Sequence, residues 1–140
     1  MSLGAGGRLV LRFTDNSLTG SGDNGLDLWI FEVGPDVEDT IVDISKDGSN
    51  WFNVGSVFGA TSGIDIDAFG FGTSDFFSYI RLTDVLTEGA TTGTTVGADI
   101  DAVGAISSAP PVVSVPEPGV LALLGISLLA FGLRKRVIER

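Results

Sequence analysis

Near its C-terminus the chain runs through residues 120–133 without one charged side chain, and the run stops against Arg134, Lys135 and Arg136. No other feature restricts the possible architecture so tightly. As a helix, these fourteen residues reach about 21 Å at ~1.5 Å each. A bilayer core is ~30 Å thick, and a basic flank lengthens the effective span by snorkelling. The run is apolar all round, so it lacks the polar face of a surface helix. A buried core helix or an amphipathic hairpin are the soluble alternatives. Its position at the chain end, after a small-residue segment and before three cations, favours a membrane helix over 119–133. The cations then stay cytoplasmic, with residues 137–140 as a cytoplasmic tail and everything before the helix outside.

The rest of the chain is different in kind. Residues 1–109 hold sixteen acidic and four basic side chains, a net charge of −12, whereas residues 110–140 carry +2. An acidic body repels phosphate backbones, so no nucleic-acid partner is expected. The chain contains neither cysteine nor histidine. Disulfides, thiol nucleophiles and Ser-His-Asp sites are thereby excluded, and soft or imidazole-bound metals have no ligands. Only oxygen donors remain, which suit a hard cation such as calcium. Solubility alone accounts equally well for the acidity.

Apolar residues in the body alternate over short stretches separated by Gly, Ser, Asp and Asn, which predicts many short strands and no amphipathic helix. In residues 8–14, Leu9, Leu11 and Phe13 oppose Arg8, Val10 and Arg12. Residues 27–33 are apolar on both faces and should form a central strand. Residues 40–45 and 51–57 flank Lys46, Asp47, Gly48 and Ser49, a strong turn signal, and predict a hairpin. Residues 76–82 and 99–106 are further strands, and 89–97 reads as a mobile Gly/Thr loop. The expected fold is all-β, a jelly-roll-like β-sandwich over 1–106, followed by an extended, disordered linker over 107–114. Residues 63–68 and 97–102 echo each other (Gly-Ile-Asp-Ile-Asp-Ala and Gly-Ala-Asp-Ile-Asp-Ala), which we read as shared strand composition.

Between linker and apolar run stand Val115, Pro116, Glu117 and Pro118. Each proline fixes its own φ and pushes the preceding residue away from helix. The result is an extended, exposed element with one central charge, suited to strand-like capture by a processing enzyme. This motif, the Gly-containing apolar helix and the terminal basic cluster, over residues 115–136, together resemble the PEP-CTERM sorting signal of exopolysaccharide-producing Gram-negative bacteria. The resemblance implies export, recognition by an exosortase-type membrane enzyme, cleavage near the motif and delivery to the cell surface or extracellular matrix. By position, Val115, Pro116, Glu117 and Pro118 match the recognition motif, and Arg134, Lys135 and Arg136 the basic stop. Such proteins begin with a signal peptide, and residues 1–7 lack its basic and apolar regions. The expectation is therefore a misplaced start or a fragment, with early strands missing as well.

Residues 42–51 (Val-Asp-Ile-Ser-Lys-Asp-Gly-Ser-Asn-Trp) and 76–82 resemble the central hairpin and an Arg-bearing strand of galactose-binding-like jelly-roll domains. That resemblance implies sugar or lipid binding through loops, and often a structural calcium. Loop carboxylates and amides are the candidate ligands: Asp15, Asn16, Asp23, Asn24 and Asp27 around one Gly-rich loop, and Asp99 and Asp101 on one strand face. Calcium takes six to eight oxygens, so two or more segments must converge. The loop does not match an EF-hand. Trp51 is the candidate sugar-stacking residue, whereas Trp29, in the most apolar strand, is expected in the core. With so many acids, paired carboxylates carry no catalytic signal, and no enzyme activity is expected. The function expected is that of an exported surface or matrix protein. A displayed carbohydrate-binding module, with polysaccharide as partner, is the alternative.

Overall fold

The computed structural model describes residues 1–34, 37–89, 92–93 and 96–112. The hairpin shows how the sequence dictates its parts. Strands β4 (Thr40–Ser45) and β5 (Phe52–Val57) pair antiparallel, with a register shift between Ile41 and Asp43. Val42 and Ile44 point inward and are fully buried, while Ile41 faces out. The turn is closed by Asp47, whose Oδ1 accepts the N–H groups of Ser49 and Asn50 at 2.8 Å each. Gly48 adopts φ +77°, the left-handed conformation that glycine reaches without strain.

The backbone N–H of Asn50, then that of Ser49, hold the Asp47 carboxyl far below the usual carboxylate range. The Lys46 ammonium, 2.7 Å from Asp75, lowers the Asp75 carboxyl in the same way. A carboxyl depressed by folding stabilises the fold above its unfolded pKa, about 4, and that stabilisation is lost as pH falls toward the folded value. We therefore expect Asp47→Ala to lower the urea midpoint at pH 7. The gap from the wild type should narrow as pH falls from about 5 to about 2, checked by urea titrations across that range.

Strand β1 (Arg8–Arg12) alternates as its sequence predicts, with Leu9 and Leu11 turned toward the core. It pairs with β7 (Tyr79–Asp84), which in turn pairs with β4, giving a four-stranded antiparallel sheet in the order β1-β7-β4-β5. The second sheet places β3 (Leu28–Glu32) between β6 (Thr61–Ile64) and β8 (Ile100–Ala105). Leu28, Ile30, Ile64 and Ile100 from this sheet share one core with Val42, Ile44, Val54, Val57, Ile80 and Leu82 from the other. Two sheets over a common core make the described region an all-β sandwich. A short pair, β2 (Ser17–Leu18) with β9 (Ser108–Ala109), joins the loop after β1 to the far end of the body.

Three expectations change. Strand β3 is central, but only one of its faces is covered: Trp29 is half-buried and stacks on the exposed Phe31 at 6.4 Å between centroids, so Trp29 is not core. Within residues 76–82, alternation puts Phe77 with Tyr79 and Arg81, on the face opposite Ile80 and Leu82. Instead it lies before β7, exchanges both backbone hydrogen bonds with Leu18, and is fully buried. Residues 107–109 are extended, as expected, yet they pair with β2, and the Val112 N–H donates to Ser17 Oγ at 3.2 Å. Among the described residues no helix is long and apolar enough to cross a membrane. The expected membrane helix, 119–133, lies outside them.

Candidate functional site

The antiparallel register of β3 and β6 sets Leu28 opposite Ile64, and the Asp27 N–H donates to Ile64 O at 2.9 Å. Asp27, just before β3, is thereby held beside the residues that follow β6. There the chain leaves the strand at Asp65 and turns through a one-turn 3-10 helix, Asp67–Phe69. Asp65 Oδ1 accepts the Asp67 N–H at 2.9 Å just ahead of this turn. One carboxylate oxygen each from Asp27, Asp65 and Asp67 come within 4.8 Å of one another. At that separation each pair of like charges repels by about 3 kcal/mol or more at an effective dielectric near 20.

The environment of Asp27 adds to this cost. Its side chain is fully buried, Oδ2 accepts the Ile66 N–H at 2.9 Å, and Oδ1 has no hydrogen-bond partner. A buried polar atom left unpaired costs about 1–3 kcal/mol, and more when charged. The two ion pairs among the described residues lie elsewhere, Lys46 with Asp75 and Arg81 with Asp43. The loop after β2 closes over Asp67: its Oδ2 accepts the Gly22 N–H at 3.1 Å and lies 3.4 Å from Ser21 Oγ. Gly20 is required here for space, since a Cβ would sit 2.3 Å from Phe71 O and 2.6 Å from Asp67 Oδ2.

Of the residues expected as ligands, only Asp27 belongs to this cluster. Asp23 stands one contact away, its Oδ1 accepting from Ser21 Oγ at 3.1 Å and from the Gly25 N–H at 2.7 Å. Asp15 and Asn24 are exposed and Asn16 half-buried in the loops flanking β2. Asp99 lies at the start of β8, where its N–H donates to Glu32 Oε1 at 3.3 Å, and Asp101 is exposed on the same strand. Asp65 and Asp67 were missed as ligands, although their Asp-x-Asp spacing was visible as half of the internal echo.

Trp51 is half-buried at the start of β5, and one ring face is occupied: Arg81 Cζ lies 4.4 Å from the ring centroid. Asp43 Oδ2 fixes that guanidinium through Nε and Nη2, both at 3.0 Å. A sugar ring could not take the same face without displacing a cation–π contact. A hollow of about 270 Å³ lies nearby, lined by Arg12, Lys46, Asp47, Ser78, Tyr79 and Val112.

Val115, Pro116, Glu117 and Pro118 and the block of Arg134, Lys135 and Arg136 lie outside the described residues. Residues 114–136 match the family model of the PEP-CTERM protein-sorting motif. The chain carries that motif, which implies processing by an exosortase and export to the cell envelope. No curated protein and no solved structure matches the chain.

Proposed function

We propose that this chain is a non-catalytic protein of the surface or extracellular matrix of a Gram-negative cell, delivered as a single-pass precursor and released from its tail by an exosortase-type enzyme. The sorting motif matched over residues 114–136 carries this reading. In the precursor, 119–133 spans the bilayer and Arg134, Lys135 and Arg136 remain in the cytoplasm, where cations are retained. Pro116 and Pro118 keep the segment around Glu117 extended, so its backbone is available for strand-like capture in the processing site. The sandwich is then the delivered cargo. Its acidic surface suits an exterior rich in hydrated polymer and divalent cations, and the lack of histidine and cysteine removes the usual neutral-pH base and thiol nucleophile.

The test is processing in an exosortase-containing host, with an export signal supplied ahead of Met1. Wild type should be converted to a shorter, envelope-associated or secreted form. Pro116→Ala, Glu117→Ala and Pro118→Ala should each leave a folded body but accumulate full-length precursor, read by intact-mass spectrometry. Normal shortening of all three variants overturns the reading.

A further inference from the structure

We infer that Asp27, Asp65 and Asp67 form a binding site for a hard divalent cation, calcium. Two independent observations meet here. The first is the cluster itself, three carboxylates from two segments brought within 4.8 Å by the β3–β6 register. The second is Asp27 Oδ1, an oxygen of a fully buried side chain with no hydrogen-bond partner. A buried carboxylate is normally satisfied by donors or by a counter-charge. The ion-paired Lys46 and Arg81 are engaged at Asp75 and Asp43. A cation at the cluster would satisfy the bare oxygen and cancel the mutual repulsion of the three acids together.

The chemistry of the donors selects the ion. With oxygen ligands alone, zinc and the softer transition metals are disfavoured, leaving calcium and magnesium. Magnesium demands a small, near-ideal octahedron. Calcium accepts irregular oxygen sets at 2.3–2.6 Å and takes the remainder of its shell from backbone carbonyls and water. A site made of one strand end and one short turn, with Gly20 packed too closely for any side chain, is of the irregular kind.

The position gives the site a consequence. Asp27 O accepts the N–H groups of Ile106 at 2.7 Å and Ser107 at 3.2 Å, and the Thr19 N–H donates to Ser107 O at 3.0 Å. A cation holding Asp27 therefore also fixes the segment from β8 into β9, through which the body continues toward the sorting tail.

The experiment uses the full chain, solubilised in detergent and stripped with EDTA, titrated with CaCl2 or MgCl2 by calorimetry. One calcium should bind with a Kd on the order of 10⁻⁴ M, in the range of extracellular modules, and magnesium should bind at least about 10-fold more weakly. Calcium should also raise the melting temperature and slow amide exchange at Ile66, Ile106 and Ser107. Asp65→Asn and Asp67→Asn preserve size and one acceptor oxygen, and each should weaken calcium binding by about 10-fold or more. These two are preferred to Asp27→Asn, whose buried position risks the fold. Absence of calcium-dependent heat and of any melting shift in the folded wild type overturns the site. So does undiminished binding in both folded variants.

Discussion

Phe77→Ala should destabilise the body by about 3–5 kcal/mol, the range for removing a fully buried phenylalanine. Against a total stability of about 5–15 kcal/mol for a domain, that is a large fraction of what holds the sandwich together. Phe77 has no exposed surface, and its ring meets Phe71 edge-on at 5.0 Å and Phe52 at 6.2 Å between centroids. Each such pair contributes about 0.5–1.5 kcal/mol beyond buried area. The backbone of Phe77 exchanges two hydrogen bonds with Leu18, so a cavity there also loosens β2 and, through it, β9. Urea titration should show the midpoint falling with little change in slope, the mark of lost stability without a changed denatured state. Phe77→Leu keeps most of the apolar filling and should lose clearly less. Equal, near-zero losses for both would mean that the core does not depend on this ring.

That dependence was not legible from the alternation of residues 76–82, and the reason is local. Counting by twos from Ile80 and Leu82 places Phe77 with Tyr79 and Arg81, on the opposite face. The strand begins only at Tyr79. Phe77 precedes it and pairs through its backbone with Leu18 of β2, and period-two reasoning does not extend beyond the strand. The same rule worked where strands are regular: β1 alternates as read, and the hairpin of β4 and β5 lies where its Asp-Gly turn predicts. Strand β3 was rightly placed centrally. Trp29 was misplaced in the core because an apolar residue facing out from a sheet can be half-covered by a neighbour such as Phe31.

Strand β6, Thr-Ser-Gly-Ile, was not recognised because it has one large apolar residue and an internal glycine. At Gly63 a Cβ would come within 3.1 Å of Leu28 O and 3.3 Å of the Trp29 ring, so the smallness that hid the strand is what lets β3 approach. Missing β6 also hid the carboxylate cluster. Asp65 and Asp67 are adjacent to Asp27 only through the pairing of β6 with β3, across 38 and 40 residues of chain. Composition could say that a hard cation was the only metal the chain suits. It could not say which acids converge. The sorting motif is the opposite case, legible because its information is linear: a motif, an apolar run and a basic block in fixed order.

Asp84→Ala should cost about 3 kcal/mol, the value of losing charge-assisted hydrogen bonds at a buried site, and the bonds lost lie in one part of the molecule. Asp84 closes β7 with 3% exposure. Its Oδ1 accepts the Ala98 N–H at 2.8 Å and its Oδ2 accepts the Gly6 N–H at 2.7 Å. Gly97 passes so close, at φ +70°, that a Cβ there would lie 2.8 Å from the same carboxylate. One side chain thus locks the segment before β1 and the segment before β8 against the end of β7. After truncation Gly6, which is exposed, can turn its N–H to water, but Ala98 is fully buried and its N–H cannot. Asp84→Asn should recover little, because its amide group presents N–H to one of two N–H donors. The expected readout is hydrogen exchange: amides of Leu3, Gly4 and Ala98, tied together by Leu3 N–H to Ala98 O at 3.0 Å and Gly4 N–H to Val96 O at 2.7 Å, should exchange about 100-fold faster. Val42 and Ile80, in the sheet centre, exchange only through opening of the whole fold, so they should speed up by no more than the global loss and remain the slowest of the five amides. Unchanged exchange at Leu3, Gly4 and Ala98 would show instead that Asp84 does not fasten the two flanking segments.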